Sequence, residues 1–235
     1  MGFYENLVSA VDAYDASLTR SAAHIIGATV AIGGAAVGNY ALFAGGTVYS
    51  QINEDNVTSD VLAYDPSLTF TTAPLLSVAR ANVKGASAGN YALFAGGRAG
   101  RFWTPVDAYN ASLTRTTATA LSSTKNNSAA ATVGNHAIFV GNTASADIYD
   151  ASLTKTSAAI LSTARNRLAA TTVGDYAIFS GGGVADFCDA SLTRSSIGTS
   201  MTGYDMGAAT IGDYALFAGG HSGNTIYDSV EVYTA

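Results

Sequence analysis

The chain has 235 residues, 48% of them hydrophobic and 12% charged, a balance that excludes wholesale disorder despite 25 glycines. A formal charge of -6 with a pI near 4.8 removes the basic stripe through which nucleic-acid-binding proteins displace counterions, and it disfavours anionic membrane surfaces. No apolar run reaches the roughly 18 residues of a spanning helix, MGFYENLVSAVD does not read as a signal peptide, and the single cysteine, Cys188, excludes an internal disulfide.

Val11 to Tyr14 reads as a strand, Asp15-Ala16-Ser17 as a turn opened by an Asx side chain, and the residues after Leu18 as a second strand. A small-residue strand then runs into Gly38-Asn39, a two-residue hairpin signal. The strand after it, Tyr40 to Ala44, is apolar at every position, as expected of a strand buried on both faces, and it stops at Gly45-Gly46. The order then begins again. VDAYDASLTR at 11–20 returns as VLAYDPSLTF at 61–70, VDAYNASLTR at 106–115, ADIYDASLTK at 146–155 and ADFCDASLTR at 185–194. GNYALFAGG at 38–46 returns at 89–97, then as GNHAIFVGN at 134–142, GDYAIFSGG at 174–182 and GDYALFAGG at 212–220. Five copies about 40 to 50 residues apart are an array of one four-stranded unit.

Four-stranded units without a helical period suit blades packed around an axis, the β-propeller solution to exposed sheet edges. Paired small residues ahead of each Gly-Asn or Gly-Asp turn, such as Ala35-Ala36, Ala130-Ala131 and Ala208-Ala209, fit a crowded hub. The apolar strand ending in Gly-Gly (Gly45-Gly46, Gly96-Gly97, Gly181-Gly182, Gly219-Gly220), followed by a Tyr-Asp strand end, resembles the kelch repeat across nearly the whole chain. Two positions depart from that pattern. Leu18, Leu68, Leu113, Leu153 and Leu192 stand in a shorter turn where the family carries a tryptophan, and the third copy reads Gly141-Asn142.

The expected fold is therefore all-β: one domain over 1–235, a kelch-like β-propeller of five four-stranded blades. Val230-Glu231-Val232-Tyr233 is a sixth copy of the third strand, so closure is expected to involve the N- and C-terminal segments, with the N-terminal segment completing the last blade. Two alternatives stand for Met1-Gly2-Phe3: a natural start, or a cut from a longer array. Asp12, Asp107, Asp147 and Asp186 recur with Arg20, Arg115, Lys155 and Arg194, and both positions turn apolar together at Leu62 and Phe70. Such paired change predicts cross-strand neighbours in an outer hairpin.

No catalytic residue, metal site or cofactor is expected. His24, His136 and His221 fall at different points of the repeat, and there is no metalloprotease, P-loop or paired-cysteine spacing. Gly85-Ala86-Ser87-Ala88-Gly89 matches a nucleophile elbow in letters only, because it lies in the hub strand. The copies differ most in the loop after the glycine pair, and long variable loops on one side of a rigid scaffold are where binding usually resides. That side is expected to gather Phe3, Tyr4, Tyr49, Arg80, Arg101, Phe102, Trp103, Lys125, Arg165, His221 and Tyr227. Aromatics with arginine anchor protein interfaces, and aromatic faces stack on sugars. The expected function is a non-enzymatic module binding a protein or a glycan, without nucleic acid or membrane insertion. An assembly module of a larger surface or fibre protein, self-associating by strand exchange, is the alternative, and an enzyme at the central funnel ranks last.

Overall fold

The computed structural model describes residues 11–14, 17, 19–23, 31–47, 55–125 and 128–234. The described elements are strands joined by turns and loops, with no helix among them. A two-stranded sheet comes first, β1 (Val11–Tyr14) with β2 (Arg20–Ala23). Four four-stranded antiparallel sheets follow. They comprise β3 (Gly33–Val37), β4 (Tyr40–Ala44), β5 (Val61–Tyr64) and β6 (Phe70–Ala73); then β7 (Lys84–Ala88) and β8 (Tyr91–Ala95), joined by β11 (Val106–Asn110) and β12 (Arg115–Ala118). The short hairpin of β9 (Arg98–Ala99) and β10 (Arg101–Phe102) interrupts that second sheet. The third has β13 (Ala129–Val133), β14 (His136–Gly141), β15 (Thr143–Tyr149) and β16 (Lys155–Ala159), and the fourth β17 (Ala169–Val173), β18 (Tyr176–Gly181), β19 (Val184–Asp189) and β20 (Arg194–Gly198). The last sheet holds β21 (Gly207–Ile211), β22 (Tyr214–Ala218) and, past the hairpin of β23 (His221–Ser222) and β24 (Thr225–Ile226), β25 (Val230–Thr234). The third-strand place of this sheet is thus taken by the C-terminal segment. The chain divides into two compact units, residues 1–85 with 90–120, and residues 86–89 with 121–235.

Turn chemistry sets the register. Gly38, Gly89, Gly134, Gly174 and Gly212 have φ between +52° and +55°, while the Asn or Asp that follows does not, the II′ geometry whose twist suits a tight hairpin. In the outer turns one side-chain oxygen does the work: Asp150 Oδ1 accepts from the backbone N–H of Ser152 at 2.8 Å and of Thr154 at 2.9 Å. Asp65, Asn110 and Asp189 repeat the arrangement. It holds Leu68, Leu113, Leu153 and Leu192 at φ of +62°, +57°, +64° and +63°, a region bulky side chains avoid. Leu113 and Leu192 offset that strain by packing against apolar clusters.

Burial follows the repeat. The second strands β8, β14 and β18 are buried from their second residue onward, as their unbroken apolar letters predict. In the first unit Leu42, Val61, Phe94 and Tyr109 form one core cluster; in the second, Ile138, Ile148, Phe179 and Cys188 form another. The inner strands approach so closely that a Cβ on Gly85 would lie 2.1 Å from the Gly34 carbonyl oxygen. The outer turn of one sheet also nests on the inner turn of the sheet before it. A Cβ on Gly89 would lie 2.4 Å from that of Ala151, and one on Gly134 3.1 Å from that of Ala190.

Candidate functional site

Three linkers, those that enter the sheets beginning with β7, β13 and β17, carry the motif Leu-Ser-x-x-Arg/Lys, and its polar residues converge on the third-strand aspartate. Asp107 accepts from Ser77 N at 3.1 Å and Ser77 Oγ at 3.0 Å, from Arg80 Nη2 at 2.8 Å, and from Arg115 Nη1 across the strands at 3.2 Å. Asp147 takes Ser122 Oγ at 2.6 Å, with Lys125 at 3.4 Å and Lys155 at 3.8 Å. Asp186 takes Ser162 N at 3.0 Å, Arg165 and, at 3.5 Å, Arg194. The cross-strand pairing read from the sequence is present, Asp12 to Arg20 included at 3.4 Å. Its environment differs from an exposed blade edge: Asp107, Asp147 and Asp186 are buried, and each carboxylate joins linker to sheet.

This places three of the sequence-predicted binding residues inside. The side chains of Arg80, Lys125 and Arg165 are 0%, 2% and 8% exposed. Arg80 spends its remaining donors on the carbonyls of Gly96 (2.7 Å), Val78 (2.9 Å) and Phe94 (3.3 Å). Their charges are neutralised within the sheets and are not offered to a ligand. The sequence signal for this was their recurrence in step with the aspartates, the same signal that marks the rest of the repeat as structural.

The remaining predicted residues fall into two separate groups, and Phe3, Tyr4 and Tyr49 lie outside the described residues. In the first unit, Arg101 opposes Ala99 and Phe102 opposes Arg98 in the β9–β10 hairpin, whose tip is Gly100 at φ +64°. The Arg101 guanidinium stacks 4.1 Å above the Trp103 ring and that of Arg98 lies 5.7 Å from the Phe102 ring. Phe102 and Trp103 are half-buried and Arg101 is exposed. The patch is a small cation–π stack with its indole Nε1 buried and unpaired among the described residues.

In the second unit an open cleft of about 240 Å³ is lined by Asn142, Ala164, Arg165, Asn166 and Tyr204. Asn142 sits at φ +62°, in the slot that other copies fill with glycine, so the departure at Gly141-Asn142 adds an amide side chain to the cleft. Arg165 donates to the carbonyls of Gly181 and Val184 and pairs with Asp186, while its Nε–H is buried with no acceptor among the described residues. Beside the cleft, Arg167 and Asp205 occupy successive left-handed positions at φ +56° and +55°. They pair through Arg167 Nε at 2.8 Å from Asp205 Oδ2, a contact that raises the guanidinium's pKa further. His221 Nε2 lies 2.6 Å from Arg167 Nη2 and 3.4 Å from Asp205 Oδ2, and its backbone bridges to Tyr204. Tyr227 packs over Gly203, where a Cβ would lie 2.9 Å from the ring, and its hydroxyl meets Thr202 Oγ1 at 2.9 Å. Arg165, His221 and Tyr227 are therefore brought to one region. Asn166, Tyr204, Arg167 and Asp205 were missed because they stand in linkers that read as ordinary connections.

No cluster of three or more His, Cys, Asp or Glu arranged to hold a metal occurs among the described residues. Burial pushes the Cys188 thiol up to about 11, helped by the charge of Asp189, so it stays protonated in the core. The cleft is lined by two amides, Asn142 and Asn166, and the ring of Tyr204.

No protein-family model and no curated protein matches the sequence. Among solved structures, the one reported as "Structure of YjhT" superposes with a TM-score of 0.67 at 13% identity, covering 92% of this chain and 85% of that one. At that identity the likeness concerns the fold alone, and with the repeated antiparallel sheets it identifies the chain as an all-β, five-bladed β-propeller.

Proposed function

We propose that the protein is a non-enzymatic binding module of the kelch type and that its ligand is a neutral glycan held in the cleft of Asn142, Asn166 and Tyr204. The observation that carries this reading is the combination of an aromatic ring and two amides around one open cleft. Amides serve the paired donors and acceptors of vicinal hydroxyls, and a tyrosine ring stacks on the C–H face of a sugar. At about 240 Å³ the cleft is smaller than the clefts that hold drug-sized ligands, a size suited to one or two sugar rings. A net charge of -6 argues against nucleic acid as the partner. A protein ligand is the second reading, favoured by the exposed Arg101 stacked on Trp103, residue types that dominate interface energetics.

The test is a glycan array read with the parent chain and with Tyr204→Ala, Asn166→Ala and Trp103→Ala. The expected result is retention of a set of neutral glycans by the parent and by Trp103→Ala, with the signal lost in the other two variants. Absence of any retained glycan, or equal retention by Tyr204→Ala, overturns the reading. Loss in Trp103→Ala alone moves the site to the β9–β10 hairpin.

A further inference from the structure

We infer that Asn110, which opens the outer turn between β11 and β12, is an acceptor site for N-linked glycosylation. The outer turns repeat one geometry with one change of chemistry. Asp65, Asp150 and Asp189 open three of the described turns, while Asn110 opens another as Asn110-Ala111-Ser112, the Asn-x-Ser pattern that an oligosaccharyltransferase reads. Asn110 Oδ1 accepts from the backbone N–H of Ser112 at 3.0 Å and of Thr114 at 2.9 Å. Two donors on one side of the amide fix its orientation, because only the oxygen can accept them. The nitrogen therefore points away from the turn: Nδ2 has no acceptor among the described residues and is not buried. In the aspartate turns the Ser67 and Ser152 hydroxyls donate to the carboxylate at 2.7 Å, whereas the Ser112 hydroxyl makes no such bond among the described residues and is left for the transferase to read.

The turn also has room for a large substituent. Ala111, Ser112 and Thr114 are exposed, as are Ala151, Ser152 and Thr154 of the same turn in the other compact unit, so the openness belongs to the repeat within each unit by itself. A second Asn-x-Thr pattern, Asn56-Val57-Thr58, lies in the same unit as Asn110 and differs in the decisive respect. Asn56 is 9% exposed, and the Thr47 hydroxyl donates to its carbonyl at 2.8 Å and lies 3.2 Å from its Oδ1. A sugar on that amide would have to open a buried hydrogen-bonded contact, whereas one on Asn110 adds to a surface. A third pattern, Asn126-Asn127-Ser128, has its acceptor outside the described residues. In the transfer, Asn110 Nδ2 bonds to the anomeric carbon of the first sugar of a lipid-pyrophosphate oligosaccharide. The bond from that carbon to the pyrophosphate oxygen breaks, its electron pair leaves with the pyrophosphate, and Nδ2 gives up one proton to the transferase. Oδ1 keeps both backbone bonds throughout, so the turn survives the modification.

The test expresses the full chain behind a cleavable secretion signal in a eukaryotic host, with Asn126→Gln in every version so that the third pattern is silent. Glycopeptides are mapped by mass spectrometry, before and after peptide-N-glycosidase, on the protease-resistant folded chain recovered from the medium or from lysed secretory compartments. The expected result is a glycan on Asn110 at an occupancy at least about tenfold above that on Asn56. Ser112→Thr is expected to keep the glycan, and Ser112→Ala and Asn110→Asp to abolish it. Asn110→Asp installs the residue of the other turns, so circular dichroism of this variant separates loss of sugar from loss of fold. An unmodified Asn110 in the folded chain overturns the proposal. So does a glycan on Asn56 at equal or higher occupancy, or one that persists on Asn110 in Ser112→Ala.

Discussion

The sheet built from β13 to β16 and the sheet ending in β25 are copies of one unit with opposite fates. In the former, a linker serine, a linker cation and a fourth-strand cation close on buried Asp147, and every second-strand residue after His136 is buried. In the latter, Gly203 stands where the linker cation would be and Glu231 replaces the aspartate. Tyr227 fills the space above Gly203, and the faces of Ile211, Tyr214, Val230 and Val232 are exposed. Glu231 still accepts from the linker's Ser200 N at 3.1 Å, so the difference teaches that the carboxylate–linker bond survives without the cation while the deep burial does not. With Gly203 in the cation's place, Tyr227 and His221 occupy the linker side of this sheet.

The largest way to break this comparison is Asp107→Ala, which strands the fully buried Arg80 charge. Removing one partner of a buried pair costs about 3–5 kcal/mol, or a melting temperature lower by about 6–20 °C in a chain of this size. Glu231→Ala in the last sheet is expected to cost about 1 kcal/mol or less, because that carboxylate is half-buried and pairs with no cation among the described residues. Scanning calorimetry compares the two. Equal losses would erase the distinction.

A smaller effect separates two glycines of the same turn. Gly89→Ala drives a methyl into Ala151, expected at about 1–3 kcal/mol beyond the backbone strain, whereas Gly212 has nothing within 4 Å of an added Cβ and shows the strain alone. Urea unfolding of both variants measures the gap.

High pH sharpens the picture further. Burial raises the hydroxyl pKa of Tyr109, Tyr149 and Tyr233, so the folded chain keeps protons that the unfolded chain releases. The stability linked to these groups is complete below about pH 10, the ordinary tyrosine value, and falls as pH rises beyond it. Tyrosinate absorbance is expected to appear together with unfolding instead of ahead of it.

The smallest effect belongs to the outer turns. Hydrogen bonds from Ser67 and Ser152 hold Asp65 and Asp150 below the usual carboxylate range, so their contribution is present above that range and is lost as pH falls through the depressed values. Asp150→Ala, on an exposed turn, is expected to cost about 1 kcal/mol by thermal melting and to flatten the acid limb.

The fold was legible because a repeat supplies its own alignment. Gly-Asn and Gly-Asp turns, apolar second strands and Asx-opened outer turns each recur at one place, and the structure puts the same geometry there in the copies it describes. The cross-strand Asp–Arg pairs were legible from their joint change to Leu62 and Phe70, and Tyr64 and Phe70 now pack with ring centroids 6.1 Å apart. What the letters did not show was depth: Arg80 and Lys125 read as surface charges until the linkers folded over them. The cleft was equally hidden, because Asn142, Asn166 and Tyr204 come from three connections that only the folded second unit brings together.

The central claim is that the repeating polar residues hold the fold, while the non-repeating ones around the cleft contribute little to stability. Calorimetric melting of Lys125→Met beside Tyr204→Ala tests it most directly. The account predicts a fall of about 6 °C or more for Lys125→Met, which leaves Asp147 buried without its linker cation, and a change within about 2 °C for Tyr204→Ala. A Tyr204→Ala melt as low as that of Lys125→Met, or a Lys125→Met melt unchanged from the parent, would contradict it.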